Sequence, residues 1–149
     1  MRKKQFEICV RGIIQKQGKI LVCWHKKKKH YFFPGGHIEF GESSKKALIR
    51  ELKEELSIVV KKLSFVGIAE NIYIERQDKH KEHRGKHHEI NLVFSVLAEK
   101  VKDKSLEDHI DFFFLDIGQF AKKRVLPLIL KRQVLKWLKG RKNFWITNK

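Results

Sequence analysis

The rhythm of apolar positions changes three times along the chain. Residues 5–14 (QFEICVRGII) and 19–24 (KILVCW) are short apolar runs rich in β-branched residues, the pattern of strands. The Gly-containing QKQG between them predicts a hairpin turn. HKKKKH, 25–30, interrupts as a charged loop. YFFPGGHIEFGE, 31–42, then reads as strand at YFF, a break at Pro34, Gly35 and Gly36, strand again at HIEF, and a turn at Gly41.

From Ser43 the spacing becomes helical. Leu48, Leu52 and Leu56 recur every four residues in SSKKALIRELKEEL and form one stripe. Ser43 or Ser44 is the expected N-cap, and the helix should end near Ser57, before the β-branched run Ile58, Val59, Val60. Strands are predicted at 62–74 and 88–101, joined by the polar loop ERQDKHKEHRGKH, and a short buried strand at 112–117 (FFFLDI). Over 126–139, Leu130, Val134, Trp137 and Leu138 line one side of a helix, with Lys131, Arg132, Lys136 and Lys139 mostly elsewhere. No internal repeat is visible. Strands mixed with one strong helix and a C-terminal helix predict an α/β fold, a mixed sheet covered on both faces. At 149 residues the chain suits a single domain spanning 1–149.

Composition adds a core and a sign. Apolar residues make up 42%, with eleven Phe and three Trp as bulky filling, whereas 34 Lys plus Arg against 17 Asp plus Glu leave a formal charge of +17. Such a surface attracts nucleotides, nucleic acid or phosphorylated small molecules. The lysines are scattered as well as clustered, so a plain compositional bias stays open. No apolar run approaches the roughly 20 residues that span a bilayer. MRKKQFEICV lacks the apolar segment and cleavage site of a secretory signal, so the expected location is cytoplasmic. Cys9 and Cys23 sit in strand-like stretches and are expected as reduced core residues, with a disulfide between adjacent strands as the alternative.

Against this basic background, RELKEEL (50–56) concentrates acids. Glu51, Glu54 and Glu55 are three and four apart on a helix and should crowd one face, where like charges repel unless a cation sits between them. A hard divalent cation with oxygen ligands fits that need. For the seven residues alone, a solvated acidic face is the competing explanation.

The wider spacing narrows the choice. Gly36, five residues, Glu42, seven residues, then Arg50-Glu51-Leu52-x-Glu54-Glu55-x-Ser57-Ile58 resembles the signature of the Nudix hydrolases, G-x5-E-x7-R-E-U-x-E-E-x-G-U with U aliphatic. The FPGG segment and the flanking strands resemble the family too. Ser57 departs from it, standing where the family usually has Gly. Glycine is favoured at a helix end because it takes a left-handed conformation, so serine should cost about 1 kcal/mol and leave the helix end open to a different shape.

The resemblance implies a Nudix fold, a mixed sheet between helices. It also implies a pyrophosphohydrolase using Mg2+ or Mn2+ on a nucleoside diphosphate linked to another moiety. The short chain resembles members that hydrolyse a (d)NTP or modified nucleotide. Dinucleoside polyphosphates, ADP-ribose and nucleotide sugars are alternatives, as is an RNA-binding protein that trims 5′ ends. A continuous basic stripe leading into the acidic pocket, rather than evenly spread lysines, would mark the RNA reading. By resemblance, Glu54 and Glu55 are the main metal ligands, with the Gly36 carbonyl nearby. Glu51 is a ligand or a base orienting the attacking water, Arg50 holds Glu51, and Glu42 supports the loop. Glu107 is a candidate for a further site acid, ahead of Glu89 and Glu70, and Glu42 and Glu89 are substrate-binding candidates. Family members often dimerise, so a homodimer is a further option.

Weaker signals compete with ordinary explanations. His80, His83, His87 and His88 offer imidazoles for a transition metal, yet they lie in a polar basic loop without nearby cysteine. HKKKKH is a solvated charge run or a device that steers anionic substrates. The basic segment KRQVLKWLKGRKNFW is a half-buried helix or a grip for RNA or an acidic partner. Trp24, Tyr31, Phe32 and Phe33 are core aromatics or a platform for a base. Loops 75–88 and 102–111 are expected to carry selectivity.

Overall fold

A computed structural model describes residues 5–74, 85–101 and 107–149. Strand β1 (Phe6–Lys16) turns into β2 (Lys19–His25) through Gln17 and Gly18, both at positive φ (52° and 74°), the conformation that matches the twist of a two-residue hairpin. The elements β3 (His30–Phe32), β4 (Gly35–His37), α1 (Ser44–Leu56), β5 (Val59–Ile74) and β6 (Lys86–Lys100) follow. The chain continues through β7 (Ile110–Asp116), α2 (Ile117–Lys122), β8 (Val125–Leu126), α3 (Leu128–Gly140) and β9 (Phe144–Thr147).

The strands form a mixed sheet in the order β8-β3-β2-β1-β6-β5-β9, with β7 paired to β2 and β4 to β1. β1 runs parallel to β6 from Phe6 opposite His88 to Ile14 opposite Val96. It pairs with β2 only at Gln15↔Ile20 and Lys16↔Lys19, and its earlier residues Cys9, Val10 and Arg11 face β4 instead. The two halves of the sheet therefore diverge from the first hairpin, and β4 stands in the gap.

Helices cover both faces, as expected. Ala47, Leu48, Leu52 and Leu56 of α1 are buried against Val10, Ile14, Leu21 and Phe94. On the other face Phe120 of α2 and Leu130, Val134 and Trp137 of α3 pack on Ile13, Ile20, Val22 and Val93. Each fully buried leucine contributes roughly 2 kcal/mol, more than a helix cap supplies, so packing of the leucine stripe is what orients α1. Cys9 and Cys23 are buried free thiols, and burial raises both, Cys9 to about 11. None of the described helices is long and apolar enough to cross a membrane.

The structure corrects several expectations. The second strand of YFFPGGHIEFGE is Gly35–His37, not HIEF. The chain leaves the sheet because Glu39 and Glu42 close on each other, with Glu42 N donating to Glu39 O at 3.0 Å and Glu39 N to the Glu42 carboxylate at 3.1 Å. FFFLDI ends as a strand at Asp116, where a capping box with Gln119 starts α2. The short strands β8 and β9 escaped the pattern, since each exists only where β3 or β5 offers a parallel partner.

Ser57 adopts the left-handed conformation after all (φ 53°, ψ 30°), and its N–H caps Lys53 O at 3.1 Å. Serine there carries strain that glycine would relieve. Ser57→Gly should stabilise the protein by about 1 kcal/mol, read as a raised midpoint in urea unfolding with an unchanged slope.

Candidate active site

The buried stripe of α1 leaves Arg50, Glu51, Glu54 and Glu55 along the flank of the helix that includes the β4 side. Arg50 organises this face. Its Nε and Nη2 grip the two oxygens of Glu42 at 2.8 and 3.0 Å, its Nη1 donates to Glu51 Oε1 at 2.9 Å, and Nη2 reaches His37 O at 3.2 Å. The fork on Glu42 is a bidentate charge-assisted pair, stronger than a single contact. Hydrogen bonding from Arg50 holds the Glu42 carboxyl below the usual carboxylate range, and the contacts to Glu42 and Glu51 push the guanidinium up, so it stays charged.

Glu51 lies beneath β4, its side chain only 14% exposed. A Cβ added at Gly36 would stand 2.5 Å from the Glu51 carboxyl carbon, so glycine at 36 is what lets that carboxylate approach the strand. Glu55, one turn on, shares a hydrogen bond with Glu51. Burial first, then the charge of Glu51 and that hydrogen bond, push Glu55 up to about 8. Glu54 differs. It is 59% exposed and leans to Arg50 at 3.5 Å, because the guanidinium four residues earlier attracts it while Glu51 and Glu55 repel it.

Among the described residues no three acidic, histidine or cysteine side chains converge as a formed metal cage. The donor set nevertheless suits a hard divalent cation. Two carboxylates face each other in a half-buried place, a third stands one helix position away, and the main chain of Gly36 passes alongside.

A cleft of about 1520 Å³ opens where the two halves of the sheet diverge. Glu55, Gly36, Glu107 and Glu89 all line it, which brings two of the three candidate outside acids to the same space. Glu107 lies near enough to Glu55 to raise it, and is paired with His109 Nε2 at 3.0 Å. Glu89 accepts from Tyr73 Oη at 3.1 Å and from Asn71 at 3.4 Å. Glu70 is not part of this space; it pairs with Trp145 Nε1 at 2.7 Å and His88 at 3.3 Å.

Sequence reasoning missed Arg11. Its Nε donates to the fully buried Asn91 and its Nη1 to Phe33 O, both at 3.1 Å, and its side chain lines the cleft beside Gly35. The signal was present as a lone cation inside the apolar run QFEICVRGII, a placement that needs a dedicated partner.

The remaining signals separate. His80 and His83, with residues 75–84 and 102–106 of the loops 75–88 and 102–111, lie outside the described residues. His87 pairs with Glu7, and His88 with Glu70. Phe33 is core against Phe120, Tyr31 packs on Trp24, and Phe32 lines the cleft.

The NUDIX domain family matches the chain over residues 3–138. An ADP-ribose pyrophosphatase of Methanocaldococcus jannaschii is 28% identical over 136 residues, covering 89% of this chain and 75% of that protein. An 8-oxo-dGTP diphosphatase of Proteus vulgaris is 30% identical over 80 residues, covering 51% of this chain and 71% of that protein. In fold, the chain resembles the MutT protein of Bacillus halodurans (TM-score 0.74, 16% identity, 95% of this chain and 88% of that one). It also resembles the MutT protein of Methanosarcina mazei (TM-score 0.67, 19% identity, 96% and 100%). The family match over nearly the whole chain, with Glu51 of RELKEEL set under β4, places this protein among the Nudix hydrolases, enzymes of phosphoric anhydride bonds.

Proposed function

We propose that the protein hydrolyses the anhydride of a nucleoside diphosphate linked to a further moiety, with Mg2+ or Mn2+ held by Glu51, Glu54, Glu55 and the Gly36 carbonyl. Nudix hydrolases generally work with such divalent metals. The observation that carries the reading is the Glu51–Glu55 pair, in which Arg50 fixes Glu51 against Gly36 and Glu55 lines the cleft. A bound divalent cation supplies positive potential at the phosphate oxygens and acidifies water. The chain does the rest. Arg50 locks the rotamer of Glu51, which orients the attacking water. Glu42 holds Arg50 in turn, and the Glu39–Glu42 turn ties that group to β4. Arg11, anchored on Asn91, presents its remaining N–H groups to a phosphate, and Glu107 stands by as a further acid.

The first substrate class is a nucleoside triphosphate or modified nucleotide. A second reading, ADP-ribose or a similar nucleoside diphosphate with a second sugar, is favoured by two observations. The cleft exceeds the roughly 300–1,000 Å³ of ordinary small-molecule sites. The relative named for ADP-ribose also aligns over more of this chain than the one named for 8-oxo-dGTP. The test is a panel of (d)NTPs, 8-oxo-dGTP, ADP-ribose, nucleotide sugars, dinucleoside polyphosphates and capped RNA. Each is assayed with Mg2+, with Mn2+ and with EDTA for the phosphorylated products of anhydride cleavage. Metal-dependent release from at least one is expected, and silence across the panel with both metals would remove the assignment.

A further inference from the structure

Basic residues gather on one wall of the cleft. Ile129, Arg132, Gln133 and Lys136 are spaced i, i+3, i+4 and i+7 on α3 and all line the cleft, while Leu130, Val134 and Trp137 turn into the core. Arg124, just before β8, and Lys28, in the loop between β2 and β3, extend the wall past His30. Burial first, and then the charges of Lys28 and Arg124, hold the His30 imidazole below its usual range, which puts all three groups in one neighbourhood.

None of Lys28, Arg124, Arg132 and Lys136 has a carboxylate within ion-pair distance among the described residues, and α3 contains no acid. Lys26, by contrast, pairs with Asp111 at 3.3 Å. Like charges one helical turn apart repel, so this arrangement works against the stability of the fold. Cations left unpaired along a concave surface focus potential on whatever enters it. The carboxylate side chains of the same cleft, Glu55, Glu89 and Glu107, belong to other elements, α1, β6 and the turn before β7. A ligand that meets a cation-bridged carboxylate end with its diphosphate therefore meets a second, directly basic wall with another part of itself.

We propose that Arg124, Arg132 and Lys136, with Lys28 at the rim, form a subsite for a phosphate carried by the substrate beyond the anhydride that is cut. This rests on the hydrolase reading for its second half only, because binding to the wall does not require turnover. The group recognised is a phosphomonoester on the nucleotide or the first phosphodiester of an oligoribonucleotide, and guanidinium forks suit both.

The experiment compares adenosine 2′,5′-bisphosphate with 5′-AMP by calorimetry at low salt, using the wild type, Arg132→Gln/Lys136→Gln and Arg132→Lys. The wild type should bind the bisphosphate about tenfold tighter than AMP, the scale of a partly screened charge-assisted contact. The double variant should bring that ratio to about one with AMP affinity unchanged, and Arg132→Lys, which keeps the charge and loses the fork, should give an intermediate ratio. Equal affinities in the wild type, or a preference that survives the double variant, would overturn the subsite. A 5′-phosphorylated tetraribonucleotide then separates the sources. Tighter binding than the bisphosphate, with a steeper salt dependence, assigns a phosphodiester chain, and equal binding assigns a single phosphate. Parallel hydrolysis of ADP-ribose and its 2′-phosphate addresses catalysis separately: no turnover of either would count against the hydrolase reading and leave the binding result standing.

Discussion

Glu55→Gln should lower kcat about a thousandfold with Mg2+ present and, in the same protein without metal, make the fold more stable at pH 8. The rate loss follows from removing one carboxylate from the proposed cation site, the equivalent of about 4 kcal/mol of transition-state stabilisation. The stability gain follows from linkage. Glu55 has a folded-state pKa raised from 4.5 to about 8, so between these values the folded protein keeps a proton that the unfolded chain has released. Its contribution is fully present below pH 4.5 and is lost as pH rises through 8, with a slope of at most about 1.4 kcal/mol per pH unit. Glutamine has the shape of the protonated acid without the titration, which flattens that slope. Thermal unfolding in EDTA at pH 5 and pH 8 measures it, and added Mg2+ should restore wild-type stability at the higher pH. Glu54→Gln serves as the contrast. Its exposed carboxylate should matter to turnover without a cost to the fold. Wild-type turnover in both variants would end the assignment of this face as the catalytic centre.

Gly35→Ala should cost the fold more than any other single methyl group added to the cleft. A Cβ there would stand 1.9 Å from Val10 O, 2.9 Å from Val10 C and 3.1 Å from Arg11 Cα, all backbone atoms of the neighbouring strand, and φ is +143°. No rotamer relieves a clash with main chain, so β4 must part from β1. Roughly 3–5 kcal/mol is expected, a large share of the 5–15 kcal/mol that holds a typical domain together. Gly36→Ala is the informative partner, since its Cβ would meet the end of the Glu51 side chain, 2.5 Å from Cδ. That side chain can swing away, which preserves the fold and displaces the carboxylate from the site. Urea unfolding and kcat, measured on both variants, should therefore move in opposite proportions: stability for residue 35, turnover for residue 36. Native stability in Gly35→Ala would show that β4 does not depend on this close approach.

The two glycines also show where pattern reading stops. Pro34-Gly35-Gly36 looks like a chain breaker when considered alone, and the strand was expected to resume at His37. Gly35 lies inside β4 because β1, a strand twenty-five residues away, comes too close for any side chain, and Gly36 because the Glu51 carboxylate of α1 occupies the space beside it. Glu51, Glu54 and Glu55 were expected to crowd together on helical geometry. Glu51 and Glu55 do, whereas Glu54 follows the opposite charge of Arg50. Asp116 and Gln119 formed a legible capping box, but the apolar run FFFLDI masked the start of α2.

What the sequence by itself determined was everything carried by contiguous chain: the leucine stripe, the caps and turn of the first hairpin, and the box that runs from Gly36 to Ile58. Those features depend on spacings of a few residues, which backbone periodicity converts directly into shared faces. The tertiary structure decided which further residues join them. Arg11 meets Asn91 across eighty positions, and Glu89, Arg124 and the basic stripe of α3 reach one cleft from three separate elements or their flanks. No local pattern encodes such meetings, because they follow from how strands pair and how the two halves of the sheet diverge around β4.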